Sequence, residues 1–237
     1  MEALSLPGGP PGPPAAIEAV IFDCDGTLVD SETLSAEVIA ECLAPHGLTY
    51  TADEALRAFR GRHLTAVFRD AETEIGRPLP PDFEAFVRAR AAEAFRARLR
   101  EIEGATALLE ALSLPVCVAT NGPRSKTDIT LGVTGLRRFF GEHVYCAYEI
   151  GAWKPDPGLF LHAAAALGVD PARCLVVEDS APGVTAGLAA GMRVVAFLPE
   201  GGANWLPAHV PAIRHLTELG DHLGRPGFAF PSGPRLP

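Results

Sequence analysis

Basic residues are scarce in this chain and nowhere clustered. Its 237 residues carry 20 Lys and Arg against 29 Asp and Glu, a formal charge of −9. Nucleic acid and anionic membrane surfaces are bound through grouped Lys and Arg, so neither is expected as a partner, and an anionic substrate has to be drawn in by local groups. Long apolar runs are also missing. None approaches the roughly 18 residues of a membrane span, although apolar residues make up 48% of the chain, enough for a proper core. Cysteine is thin too, and Cys24, Cys42, Cys117, Cys146 and Cys174 show no CxxC spacing. Four of them fall in or beside strand-like runs, so they read as reduced, mostly buried small hydrophobes rather than a disulfide framework. The opening MEALSLPGGPPGPPAA has neither a basic leader nor an apolar h-region. It reads as a flexible Pro/Gly tail over residues 1–17 and not as a signal peptide, and a soluble, cytoplasmic protein is expected.

What the chain does have is three short apolar runs that end on reactive groups. AVIF stops at Asp23, VCVA at Thr120, and LVV at the pair Glu178-Asp179. Such runs, bounded by Gly, Pro and polar residues, predict strands buried on both faces of a parallel sheet. Ligands sit outside the carboxyl ends of such strands, so one edge would collect all three groups. Between the first two runs the pattern turns helical: Phe83, Phe86, Val87, Ala94, Phe95, Leu99 and Ile102 recur at three- and four-residue spacings. Breaks at Pro45-His46-Gly47, Gly61 and Gly76-Arg77-Pro78 divide the region into four helices. After Gly104 the prediction is helix 105–112, strand 115–120, helix 123–131, strand 143–147, helix 156–168, strand 174–178, helix 181–190 and strand 193–198. The fold class is therefore α/β, a Rossmann-like parallel sheet core (18–30 and 101–224) with an inserted helical cap domain (31–100) and a second Pro/Gly-rich tail at 225–237.

Asp23 and Asp25 lie two positions apart at a strand end, so they point in a similar direction while Cys24 faces away. One carboxylate can serve as covalent nucleophile and its neighbour as general acid and then base. Thr120-Asn121-Gly122 is either a helix cap and turn or a hydroxyl and amides converging on an oxyanion. Lys154, set in Trp153-Lys154-Pro155-Asp156-Pro157, is held by rigid neighbours that aim its ammonium. Glu178 and Asp179 are capping residues or metal ligands. Four carboxylates against one ammonium would repel a phosphate dianion by several kcal/mol at short range. A divalent cation removes most of that repulsion, and all-oxygen ligation with few carboxylates suits Mg²⁺.

The order DxDGT, T/S-N, K-P and ED-S, with a helical insert after the first motif, resembles the haloacid dehalogenase superfamily, in its phosphatase and β-phosphoglucomutase branch, over nearly all of 18–222. TNGP followed by Lys126, and then WKPDP, are similar to the bacterial 6-phosphogluconate phosphatase-like proteins. The resemblance implies a phosphatase acting on a small phosphomonoester, a sugar phosphate or phosphorylated sugar acid. Asp23 would form an aspartyl phosphate, Asp25 would act as acid and base, Thr120 and the Asn121 amide would hold phosphoryl oxygens, and Lys154 would offset charge. Mg²⁺ would be bound by Asp23, the Asp25 carbonyl and Asp179, with Glu178 a ligand or an orienter. The insert would close over the substrate, hinging near Asp30-Ser31 and Glu101-Gly104. The stretch Phe59-Arg60-Gly61-Arg62-His63 is the candidate for substrate contact, and Arg62 and His63 either make that contact or are exposed helix-start residues. A phosphomutase would use the same core, but the His that β-phosphoglucomutases carry twelve residues after the nucleophile is Ser35 here, and their cap-loop Arg falls near Leu64. A dehalogenase needs neither Asp25 nor Asp179. A receiver-type phospho-acceptor domain is about half this length and has no cap.

Overall fold

The computed structural model describes residues 16–223. Six strands, β1 (Ala19–Phe22), β2 (Val116–Thr120), β3 (Val144–Cys146), β4 (Cys174–Glu178), β5 (Arg193–Phe197) and β6 (Ala212–Ile213), form one sheet in the order β3-β2-β1-β4-β5-β6. Every pairing is parallel; Ile21 of β1 aligns with Cys117 on one side and Val176 on the other. The chain runs from β1 outward to β3, then returns across the sheet to begin again at β4. That reversal puts the topological switch point between β1 and β4, where a Rossmann-like sheet opens a crevice.

Period-two alternation sends the strand residues into two cores. Val20, Phe22, Val118, Leu175 and Val177 pack with Leu108, Leu131, Phe140 and Leu219 on one face. Ala19, Ile21, Cys117, Ala119 and Val176 pack with Leu159, Phe160, Ala163, Val184 and Ala186 on the other. All five cysteines are buried and free.

The helices run α1 (Ser31–Leu43), α2 (Ala52–Phe59), α3 (Leu64–Ile75), α4 (Phe83–Arg98), α5 (Ala105–Ala111), α6 (Arg124–Val133), α7 (Arg137–Phe140), α8 (Ala147–Ile150), α9 (Gly158–Leu167), α10 (Ala181–Ala189) and α11 (Leu219–His222). α1 to α4 fall between β1 and β2 and share their own core, with Val38, Leu43, Phe59, Phe68, Phe83 and Val87 inside. The breaks between them lie at Gly47, Gly61 and Gly76, each with a left-handed φ that closes a helix without steric cost. The two chain crossings into this insert touch: Val29 bridges Glu101, Asp30 N–H donates to Arg100 C=O at 3.1 Å, and Ile102 N–H donates to Leu28 C=O at 2.9 Å.

Two expectations change. Ile17, assigned to the leading tail, is 1% exposed and belongs to the core, because it packs beneath the first strand. β6 was not foreseen, since Ala212–Ile213 is too short to leave a pattern. The remainder of the leading tail (1–15) and all of 225–237 lie outside the described residues. No helix among the described residues is long and apolar enough to cross a membrane.

Candidate active site

The ends of β1, β2 and β4 deliver Asp23, Thr120, Glu178 and Asp179 to one cavity of about 540 Å³ between sheet edge and insert. Asp25, Asn121, Lys154, Arg62 and His63 border the same space. Asp23 continues the ladder of β1, its N–H donating to Val177 C=O at 3.0 Å, so its side chain is fixed by the sheet itself. Lys154 is buried and places its ammonium 2.5 Å from Asp23 Oδ1 and 2.8 Å from Glu178 Oε1, with the Phe160 ring 5.0 Å away. Asn121 aims it: its Oδ1 accepts from Lys154 N–H at 3.0 Å and its Nδ2 donates to Lys154 C=O at 3.3 Å. That side chain is thereby committed, so any part Asn121 plays toward a phosphoryl group falls to its backbone amide. The Thr120 hydroxyl accepts from Gly122 N–H at 3.0 Å.

Asp25 is anchored separately, by Lys126 at 2.8 Å and by the Ser31 hydroxyl. The two carboxylates consequently differ. Burial pushes Asp23 up to about 7, and Glu178 and Asp25 push the same way, because its one ammonium is shared with Glu178. Burial also acts on Asp25, but Lys126 and Ser31 outweigh it and hold this carboxyl below the usual range. Burial raises Asp179 well above an ordinary carboxyl, helped by Glu178 and Asp23.

Both Glu178 oxygens are already hydrogen-bonded. Oε1 takes the Lys154 ammonium, and Oε2 accepts from Ser180 N–H at 2.7 Å and Ser180 Oγ at 2.8 Å. These three donors tie Glu178 to Lys154 and Ser180, the arrangement that suits an orienter of Lys154. The count of a single ammonium is revised. Lys126 joins Lys154, Arg60 reaches Asp179 at 3.4 Å and Glu32 at 2.5 Å, and Glu32 adds a fifth carboxylate to the lining. Arg62 and Arg88 also line the cavity but are paired with Asp70 and Glu84, so within the contacting cluster five carboxylates meet three cations and a surplus of negative charge remains.

That surplus fits a hard divalent cation. No group of three His, Cys, Asp or Glu side chains among the described residues is built as a metal cage. The ligand set that suits this site needs only two carboxylates, Asp23 and Asp179, with the Asp25 carbonyl. Gly26 makes room for it, since a Cβ there would lie 2.3 Å from Asp179 Oδ2.

Arg62 and His63 reach the cavity without committing to it. The Arg62 guanidinium turns away to Asp70 at 2.5 Å, and His63 stands before α3 with no capping bond from its side chain. The sequence offers the whole FRGRH stretch for substrate contact, with Arg62 and His63 foremost, and it is Arg60 that reaches the site carboxylates; closely spaced basic residues in a loop cannot be ranked without knowing which one the chain turns inward. Ser31, Glu32 and Lys126 were missed as site residues for the same kind of reason. Their only visible signal was nearness to Asp25 and Thr120 in the chain.

A parallel sheet of this order, with an acidic, oxygen-rich site at its switch point, defines an α/β enzyme of Rossmann-like fold. Residues 17–191 match the haloacid dehalogenase-like hydrolase family, and the chain belongs to that family. It is 39% identical to a 6-phosphogluconate phosphatase of Escherichia coli over 88% of this chain and 92% of that protein. It is 33% identical to hexitol phosphatase B of the same organism over 87% and 96%. Its fold matches a haloacid dehalogenase-family hydrolase of Deinococcus radiodurans, solved with bound phosphate and sodium, at a TM-score of 0.76 and 33% identity, covering 92% of this chain and 100% of that one. The enzyme is a phosphatase of this family.

Proposed function

We propose that the protein is a Mg²⁺-dependent phosphatase of small phosphomonoesters, sugar phosphates or phosphorylated sugar acids, working through an aspartyl phosphate on Asp23. The observation that carries this reading is the buried Asp23–Lys154 contact at 2.5 Å, with a second carboxylate, Asp25, held beside it by its own cation at 2.8 Å. The relative at 39% identity is named for 6-phosphogluconate. Arg60, half exposed along the cavity, gives a second anionic group of such a substrate somewhere to bind.

An Asp23 oxygen bonds to phosphorus as the ester P–O bond breaks, and the departing alkoxide takes a proton from Asp25. Water then attacks phosphorus and gives its proton to Asp25, releasing inorganic phosphate and restoring the Asp23 carboxylate. Lys154 keeps Asp23 in line and offsets charge on the phosphoryl group, while the Thr120 hydroxyl and the Asn121 amide hold its oxygens. Lys126 and Ser31 hold the Asp25 carboxyl below the usual range, which favours the ionised form that the second step requires. Asp23, the Asp25 carbonyl and Asp179 would hold Mg²⁺, which supplies charge neutralisation of the transferring phosphoryl oxygens.

Phosphate release should be measured across a panel of sugar phosphates, phosphorylated sugar acids and p-nitrophenyl phosphate, with and without EDTA. Turnover should cease on chelation and fall by more than about 10³-fold in Asp23→Asn. Activity indifferent to EDTA would refute the metal role, and normal turnover by Asp23→Asn would eliminate the covalent step. Including β-glucose 1-phosphate with its bisphosphate activator tests the mutase alternative, which requires isomerisation without phosphate release.

A further inference from the structure

Lys126 has no part in the chemistry above beyond its contact with Asp25, yet its surroundings are specific. It sits in the first turn of α6, and its ammonium lies 2.8 Å from Asp25 Oδ1. The Ser31 hydroxyl donates to that same oxygen. The opposite oxygen, Oδ2, faces the phosphate-holding loop: a Cβ built on Gly122 would meet Asp25 Oδ2 at 3.2 Å and Thr120 Oγ1 at 3.3 Å. One oxygen of Asp25 is therefore clamped by two donors and the other is presented to the cavity. A carboxylate clamped at a single oxygen cannot rotate without breaking both bonds, so its remaining lone pairs have a fixed direction. Above Lys126 lies the Phe95 ring, 5.7 Å from the ammonium to its centroid. Phe95 belongs to α4, the last helix of the insert, and α4 packs along α6. The clamp on Asp25 thus has a core side, Ser31 and α6, and a side contributed by the insert.

We propose that Lys126 is a positioning residue of the reaction: it fixes Asp25 with Oδ2 toward the leaving oxygen, and its contact with Phe95 makes that aim depend on the insert being seated on the core. The proposal rests on the reading of Asp25 as proton donor to the leaving group.

The test exploits leaving-group chemistry. An alkoxide must be protonated as it departs, whereas p-nitrophenolate leaves with little help. Lys126→Met keeps the apolar stem and removes the charge. Its kcat/KM toward an alkyl phosphate should fall by about 10- to 100-fold, with a much smaller fall toward p-nitrophenyl phosphate and little change in KM. Lys126→Arg should recover most of the alkyl activity. Phe95→Leu, which leaves the lysine in place and guards against misfolding of the first variant, should show the same alkyl-against-aryl bias at smaller size. Equal losses for both substrates, a rise in KM with kcat unchanged, or no loss at all would overturn the positioning role; Phe95→Leu without bias would overturn its dependence on the insert. Asp23→Asn run alongside separates the two failures, because normal turnover there would sink the underlying mechanism whatever Lys126 does.

Discussion

Gly183 shows how little slack the site leaves around a single atom. A Cβ there would lie 1.8 Å from the Glu178 carboxyl, so Gly183→Ala has to push Glu178 off both Ser180 and Lys154. Overpacking of this kind costs about 1–3 kcal/mol, and urea denaturation should show it. Because Lys154 then keeps Asp23 alone, kcat should fall as well; a variant of parental stability and parental turnover would show that Glu178 can move at no cost. The residues that converge on the cavity were legible before any coordinates. Asp23, Thr120 and Asp179 stand where β-branched runs stop, and Lys154 is bracketed by an indole and prolines. Which further cations face them was not. Arg60 meets Asp179 across 119 positions of chain, and nothing local to FRGRH says which basic side chain turns inward.

Among the elements, α2 carries the only reciprocal capping box within the insert among the described residues. Thr51 Oγ1 accepts from Glu54 N–H at 3.3 Å, and the Glu54 carboxylate accepts from Thr51 N–H at 2.8 Å. Thr51→Ala should cost about 0.5–2 kcal/mol. The loss should show as faster hydrogen exchange over 52–59 rather than in the sheet strands, because the insert has its own core. At the far end of this helix, Arg60 joins the insert to Glu32 and Asp179. Arg60→Met should therefore raise KM more than it lowers kcat, and steady-state kinetics on the preferred sugar phosphate would check this; a pure kcat loss would place Arg60 in the chemistry instead. Elements were readable in proportion to their length. β1, β2, β4 and β5 have runs of four or five residues, and the four insert helices were marked by the glycines between them. β6 has two residues and α8 a single turn, neither enough to carry a period.

For the molecule as a whole, the buried carboxylates couple stability to pH and to metal. Asp23 rises from 3.8 to about 7 on folding, and Asp179 rises too. Between those values the folded protein holds more protons than the unfolded chain, so this contribution is complete at low pH and is lost as pH climbs through 7. Asp25, shifted the other way, contributes above its unfolded value and loses that contribution as pH falls. A magnesium ion held by Asp23 and Asp179, as proposed, would compete with protons for both. The rise in melting temperature on adding Mg²⁺ should therefore be larger near pH 8 than near pH 5; equal shifts at both would mean the cation binds elsewhere.

The strand that delivers Asp23 also lies at the centre of a sheet whose other members come much later in the chain. During synthesis Ala19–Phe22 emerges first, but β2 and β4, which flank it, end about 100 and 155 residues further on. On a ribosome adding roughly 5–20 residues per second, the insert can gather its own core while the first strand still waits for both neighbours. The insert's helices are thus complete in sequence before either neighbour of the first strand has been made, and a product ending before β4 would lack both that neighbour and the Glu178-Asp179 end of the cavity.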